Sequence, residues 1–180
     1  MIYLILTTIS LVIFLIYNIL IGSKFGIPRT LSQSYYVLED YKKGLGWIFT
    51  IMMWIISGLL LPGWLEVSEL ISTWSIYLRV LSFITIVGLL FVGAAPAFRS
   101  TGLEPIVHEV SAKVAAVAAL IWCLAVCWKI MYTPIAVMGI VALIAWLTKT
   151  WKNASGYWVE MLCFYPTFIT IIIEEIIYLL

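Results

Sequence analysis

The sequence is poor in charged residues, and this scarcity excludes most classes of soluble protein. Only 11% of its 180 residues are charged, whereas 64% are hydrophobic and the mean hydropathy is +1.14. A soluble domain carries about 25% charged and about 45–50% apolar residues. A chain of this length also leaves about a third of its surface exposed, so a water-soluble core could not hold the excess. We therefore expect lipid to be the solvent for much of the protein.

A basic surface and a complete set of metal ligands are also missing. The net charge is +1, and no basic stripe with interleaved aromatic residues occurs outside the loops, which argues against nucleic acid as a partner. Cys123 and Cys127 share one predicted helix face, but no histidine or further cysteine nearby completes a site. We interpret them, with Cys163, as buried small hydrophobic residues. We predict no metal site and no cofactor.

What the sequence does contain is long apolar runs. Six of them reach or approach the ~20 residues that a helix needs to cross the hydrocarbon layer. Pro62-Gly63 predicts the end of the second run, and Pro134 suits the first turn of the fifth. The sequence predicts an all-α, polytopic integral membrane protein with a single six-transmembrane-helix bundle over residues 1–180. The predicted spans are 2–21, 45–63, 76–97, 109–131, 134–148 and 157–180.

Lysine and arginine are distributed unevenly between the two sides of this predicted bundle. The side of the first, third and fifth loops has Lys24, Arg29, Lys42, Lys43, Arg99, Lys113, Lys149 and Lys152, and the opposite side has Arg79 and Lys129. Basic residues are enriched in cytoplasmic loops. We therefore expect a multi-pass protein of the cell membrane, the inner membrane of a bacterium, with membrane lipids around it and both termini outside.

Small residues mark the expected contacts between helices. Lipid provides no hydrophobic drive for helix association, so close packing depends on small side chains. We expect packing seams on the fourth and fifth runs. The residues concerned are Ala112, Ala115, Ala116, Ala118 and Ala119 on the fourth, and Ala136, Gly139, Ala142 and Ala145 on the fifth.

The first loop, residues 22–44, is the longest. After Pro28, either Thr30 or Ser32 can cap a short helix. Four apolar or aromatic side chains of that helix would share one side: Leu31, Tyr35, Leu38 and Tyr41. We predict a short interfacial helix beneath the lipid headgroups in this first cytoplasmic loop.

The only histidine, His108, lies where the fourth run begins. Histidine titrates near neutrality and can act as a base, and a Ser–His pair with an acid is the minimum for nucleophilic catalysis. The predicted topology places it on the side of the first loop, together with Glu104, Glu160 and Asn153. Because catalytic partners must come within hydrogen-bond reach, we predict that His108 lies within about 10 Å of Ser32, Ser34 or Tyr36. A structural role at the lip of a membrane helix is the alternative.

Two hypotheses about function follow. The first is a cytoplasm-facing site for a lipid headgroup or small molecule. Its catalytic residues would be His108, Ser32 and Ser34, and its binding residues Tyr36, Arg99 and Glu109. The second is a non-enzymatic bundle: a channel or transporter, or a subunit that binds a partner through its cytoplasmic loops. The sequence has no motif that separates the two.

A second group of polar residues is predicted near the outer face. Glu174 and Glu175 lie inside the last run, where a carboxylate costs several kcal/mol unless it faces the bundle, pairs or takes up a proton. Arg79 and Lys129 belong to the same outer layer. We predict that one glutamate meets Arg79 or Lys129 and that the other lines a wet crevice or reaches the interface. A stabilising ion pair and an ion or proton pathway both remain open.

Four stretches carry a resemblance to a known family: "PRTLSQSYYVLE", "IISGLLL", "VGAAPAF" and "VHEVSAKVAA". Their order, over residues 28–120, resembles a family of uncharacterised bacterial six-helix membrane proteins. That family is similar to the membrane hydrolase superfamily of alkaline ceramidases and adiponectin-receptor-like proteins. The resemblance implies Ser32 or Ser34 and His108 as site residues. Those hydrolases hold a metal with several histidines and an aspartate, whereas this chain has one histidine and no acid in "AAPAF".

Overall fold

The computed structural model describes residues 1–71, 74–96, 101–127 and 132–180. In these residues the chain is helical and has no strand, which confirms the all-α prediction. The helices are α1 (Ile2–Phe25), α2 (Ser34–Tyr41), α3 (Trp47–Ile71), α4 (Ser75–Ala94), α5 (Glu104–Val126), α6 (Thr133–Leu147) and α7 (Ser155–Leu179). A 3-10 turn, Leu31–Gln33, directly precedes α2.

Five of the helices are long and apolar enough to cross a membrane. These are α1, α3, α4, α5 and α7, with 20 to 25 residues each, whereas α6 has 15 residues. Large apolar side chains such as Ile19, Ile51 and Val117 are more than half exposed along them. A surface of this kind suits lipid contact better than water. The fold is therefore compatible with membrane insertion, and the sixth span stays a prediction.

Helix α3 does not end at Pro62, so that boundary prediction is wrong. The helix continues through Pro62 to Ile71. Proline removes one backbone hydrogen bond, but helices surrounded by other helices tolerate it because neighbouring groups stabilise the freed backbone. Beyond the proline, Trp64 and Val67 are fully buried, and their packing stabilises the extra two turns.

The long helices form a ring. Helix α3 packs against α1 and α4, α4 against α5, α5 against α7, and α7 closes the ring against α1. Helices α3 and α7 also contact each other across the ring. Helix α6 lies outside the ring, against α7. The side chains of α6 that are buried there are Pro134, Val137, Val141 and Ala145.

The two predicted small-residue seams have different outcomes. On α6, Ala136, Gly139 and Ala142 are exposed, so the seam is wrong except at Ala145, because the valine face makes the contact with α7. On α5 the seam is confirmed at Ala115. A Cβ atom built on Gly88 of α4 would lie 2.9 Å from both Ala115 Cβ and the Ser111 carbonyl oxygen.

The first loop folds back onto the ring. Thr30 caps the 3-10 turn, since its Oγ1 accepts from Gln33 N–H at 3.2 Å. The Arg29 carbonyl accepts from Tyr157 N–H at 2.8 Å, which fastens the loop to the start of α7. Of the residues predicted to share one side, Leu31 and Leu38 are buried against the ring, whereas Tyr41 is 57% exposed. We call the end of the ring that carries this loop the α2 end, and the opposite end the far end.

Lys24 explains why Tyr41 turns outward. The Lys24 Nζ atom lies 3.9 Å from the centre of the Tyr41 ring. A hydrogen bond with this ammonium group, and then its charge, lower the pKa of Tyr41. The aromatic side chain thus covers a cation at the end of α1.

Candidate functional site

His108 and Ser32 are in direct contact at the α2 end. His108 Nε2 lies 2.9 Å from Ser32 Oγ, and His108 Nδ1 lies 2.9 Å from the carbonyl oxygen of Ala95. In the neutral form of the ring Nδ1 carries the proton, because a carbonyl oxygen can only accept. Nε2 is then the acceptor for the Ser32 hydroxyl. The predicted approach of His108 to the first loop is confirmed, because Nε2 lies within hydrogen-bond distance of Ser32 Oγ.

Three separate elements hold this arrangement. Ser32 comes from the 3-10 turn, His108 from the second turn of α5, and Ala95 follows the last residue of α4. Carbonyl groups at a helix end lack an intrahelical partner, which leaves the Ala95 oxygen free to accept from His108. Ser32 and His108 are only 4% and 7% exposed. The backbone at the end of α4 therefore orients the imidazole, a task that a carboxylate performs in Ser-His-Asp triads.

Ser34 has a different environment from Ser32. Its hydroxyl donates to the Leu31 carbonyl at 2.5 Å and contacts the Tyr17 hydroxyl of α1. Residues two apart in a 3-10 or α-helical turn point to nearly opposite sides. Ser32 therefore faces α5 while Ser34 faces α1, fully buried. The structure brings Ser32, and not Ser34, to His108.

Two of the three predicted binding residues, Glu109 and Tyr36, have other contacts. Glu109 is exposed and forms an ion pair with Lys113 Nζ at 2.5 Å. Tyr36 is partly buried, and its ring meets the Tyr35 ring edge-on at a centroid distance of 5.2 Å. Neither contributes to the cavity described next. Arg99 lies outside the described residues.

Ser32 opens onto a cavity inside the ring, which we call the inner cavity. Its volume is about 60 Å³. The 3-10 turn, α3, α4, α5 and α7 surround it, and most of its wall is apolar. The oxygen-bearing side chains in the wall are those of Ser32, Thr85, Glu160 and Thr167.

Glu160 lines the inner cavity, although it was not among the site residues predicted from the sequence. Its Oε2 accepts from the Leu31 N–H at 2.5 Å, one residue before Ser32, and its side chain lines the inner cavity. The predicted topology placed Glu160 on the correct side, and its position among apolar residues at the start of the last run was a signal. A carboxylate at such depth is expensive unless it has a role. Here it fixes the turn that carries Ser32.

At the far end, Arg79 pairs with Glu69 and not with Glu174 or Glu175. The Arg79 guanidinium lies 3.2 Å from Glu69 Oε2. This partner was missed because α3 runs two turns longer than predicted, which brings Glu69 opposite the first turns of α4. Glu175 is 5% exposed and lies against Gly63, and Glu174 is partly buried. Among the described residues neither glutamate has an ion-pair partner, and Lys129 lies outside those residues.

The remaining observations concern metals and known proteins. Within the described parts of the chain, no three His, Cys, Asp or Glu side chains are grouped so that they could hold a metal ion. No family model, curated protein or solved structure matches the chain. The resemblance noted in the sequence stays a prediction. The Ser32–His108 pair and the cavity beside it are the features of the described residues that bear on function.

Proposed function

We propose that the protein is a membrane-embedded serine acyl hydrolase or acyl transferase that acts on a membrane lipid. One observation carries this proposal: a serine hydroxyl lies 2.9 Å from a buried imidazole, whose other nitrogen contacts a backbone carbonyl, at the edge of an apolar cavity. A histidine with only a structural role at a helix end would not require a cavity beside the serine that it contacts. A cavity with mainly apolar walls suits the acyl part of a lipid.

The geometry supports an ordinary two-step transfer. Ser32 Oγ attacks the ester carbonyl carbon while its proton passes to His108 Nε2. As the tetrahedral intermediate collapses, the C–O bond to the leaving alcohol breaks and that oxygen takes the proton back from Nε2. Water, or an acceptor alcohol, then repeats the sequence on the acyl-Ser32 ester. The bond from His108 Nδ1–H to the Ala95 carbonyl keeps the ring in the required tautomer.

The same proposal includes an orientation in the membrane. All six predicted spans cross the bilayer, α6 included, and both termini are outside, so the α2 end faces the cytoplasm. The excess of lysine and arginine in the loops at this end supports that orientation. Helix α2 then lies at the headgroup level, as an interfacial helix close to Ser32. The substrate would be a lipid of the cytoplasmic leaflet.

The test uses the purified protein in nanodiscs with a fluorescent fluorophosphonate and with p-nitrophenyl esters. We expect Ser32→Ala to abolish labelling and His108→Ala to reduce ester cleavage by about 10²–10⁴-fold, the usual contribution of a general base. Ser23→Ala, on the exposed end of α1, is the surface control. Ser34→Ala is the matched buried control: it should lower thermal stability and keep the labelling.

Two results would overturn the proposal. One is wild-type protein that is folded, by its unfolding transition, and yet reacts with neither probe. The other is unchanged labelling of Ser32→Ala. If co-purified lipid is found by native mass spectrometry in protein that does not react, the non-enzymatic alternative is favoured instead.

A further inference from the structure

We propose that the inner cavity holds one unbranched acyl chain of about eight carbons, and that Trp64 and Ala119 set this length. The inference gives the substrate class for the proposed function and rests on it as far as turnover is concerned. Binding of the chain itself requires no reaction, so the two ideas can fail separately. Three observations support it: the length of the cavity, its width and the side chains at its two ends.

The inner cavity runs along the axis of the ring. On α5 its wall extends from Ala112 to Ala119, and on α7 from Glu160 to Thr167. Each of these two stretches advances seven residues, which corresponds to about 10 Å of helix. On α3 the lining residues extend further, from Phe49 to Trp64. Because α5 and α7 both run away from the α2 end, Ala119 and Thr167 mark the far limit of the cavity.

The cavity is narrow. Its volume of about 60 Å³ is well below the ~300–1,000 Å³ of pockets that bind drug-sized molecules. Spread over about 10 Å, this space admits one chain and excludes a ring system or a second chain. C–C bonds of about 1.5 Å at tetrahedral angles advance an extended chain by roughly 1.3 Å per carbon. Eight carbons therefore fill the part of the cavity that is bounded by α5 and α7.

Small side chains create the space. Ala112, Ala115, Ala116 and Ala119 all belong to the wall on α5. Ala115 also packs against Gly88, so its methyl group serves the α4–α5 contact as well. Ala119 is 5% exposed and lies at the far limit, where a longer side chain would occupy the position of the last carbons.

The position of Ser32 fixes the direction of the chain, although Thr85 and Thr167 also line the cavity towards its far end. Ser32 and Glu160 lie at the α2 end, where the ester group must sit to meet the serine. At the far end Trp64 is 1% exposed and its ring meets Trp122 edge-on at 5.5 Å. The Trp122 Nε1–H donates to Ser68 Oγ at 2.9 Å, which holds this aromatic pair in place. Because this aromatic pair is rigid, it limits the length of the acyl chain that the cavity can hold.

The test compares p-nitrophenyl esters with linear acyl chains of increasing length. Burial of one methylene contributes about 0.8 kcal/mol, so kcat/KM should rise about fourfold per carbon up to roughly eight carbons and then level or fall. Ala119→Leu should move the optimum to shorter chains, and Trp64→Ala to longer ones. Ala119→Val is the milder variant in case the leucine disturbs folding. Ala142→Leu, on the exposed face of α6, is the matched control and should leave the optimum unchanged.

A second arm separates this inference from the proposed function. Ser32→Ala protein is titrated with linear 1-alkanols while its unfolding temperature is recorded. Stabilisation that peaks near eight carbons, and shifts to shorter alcohols when Ala119→Leu is added, supports the inference even if no ester is cleaved. Ester cleavage with the same length optimum in wild type, Ala119→Leu, Ala119→Val and Trp64→Ala would overturn the inference and leave the catalytic proposal intact.

Discussion

Replacement of Gly88 by alanine should destabilise the ring at the close contact between α4 and α5. The added methyl would lie 2.9 Å from Ala115 Cβ and 2.9 Å from the Ser111 carbonyl oxygen. The second neighbour is backbone, which cannot rotate away, so α4 and α5 must separate. Overpacking of this kind costs about 1–3 kcal/mol. Alanine also has a higher helix propensity than glycine by about 1 kcal/mol, which opposes the loss.

Gly58→Ala is the matched control, because it has the same gain in propensity and no steric cost. A Cβ atom at Gly58 of α3 meets no atom within 4 Å. The propensity contribution cancels when the two variants are compared. We therefore expect Gly88→Ala to be less stable than Gly58→Ala by about 1–3 kcal/mol, the overpacking cost alone.

The assay is unfolding of each purified variant by SDS in mixed micelles, followed by tryptophan fluorescence. Gly58→Ala should match or exceed the wild type, and Gly88→Ala should unfold at lower SDS. Equal stability of the two variants would refute the close α4–α5 contact, and with it the position of the alanine wall of the inner cavity.

Two further predictions concern topology and a buried hydrogen bond. Single cysteines introduced at Lys42 and Glu69 should be labelled by impermeant reagents from opposite sides of the membrane, and labelling of both from one side would end the proposed orientation. The buried Tyr157 hydroxyl donates to Asn18 Oδ1 at 2.9 Å, so Asn18→Ala should cost about 1–3 kcal/mol by leaving it without that acceptor. Tyr157→Phe in the same background should recover part of this loss, and strictly additive effects in the double-mutant cycle would contradict the contact.

The helical fold and one half of the site could be predicted because both depend on local sequence and on charge. Hydropathy identified the long helices, and the lysine and arginine pattern placed His108 beside the first loop. The spacing of Ser32 and Ser34 could also have predicted that only one of these serines contacts His108. Side chains two residues apart in a helical turn point to nearly opposite sides, so Ser32 and Ser34 cannot both contact His108.

Other features depend on tertiary contacts that no short stretch encodes. Pro62 predicts a helix end, but the packing of the buried Trp64 and Val67 stabilises α3 for two further turns. This extension places Glu69 beside Arg79. The Ala95 carbonyl orients His108 through backbone geometry, which side-chain identity does not reveal. Glu160 reaches Leu31 across 129 positions of the chain, a separation at which sequence spacing carries no information.

The central claim is that His108 is a neutral base aimed at Ser32, and its uniqueness allows a direct measurement. Protein labelled with ¹⁵N-histidine gives the signals of a single imidazole, because the chain has one histidine. The account predicts the tautomer with the proton on Nδ1 and an unprotonated Nε2 that accepts a hydrogen bond, and it predicts that Ser32→Ala changes the Nε2 shift most. A proton on Nε2 near neutral pH, or an Nε2 chemical shift that is the same in Ser32→Ala as in the wild type, would contradict this claim.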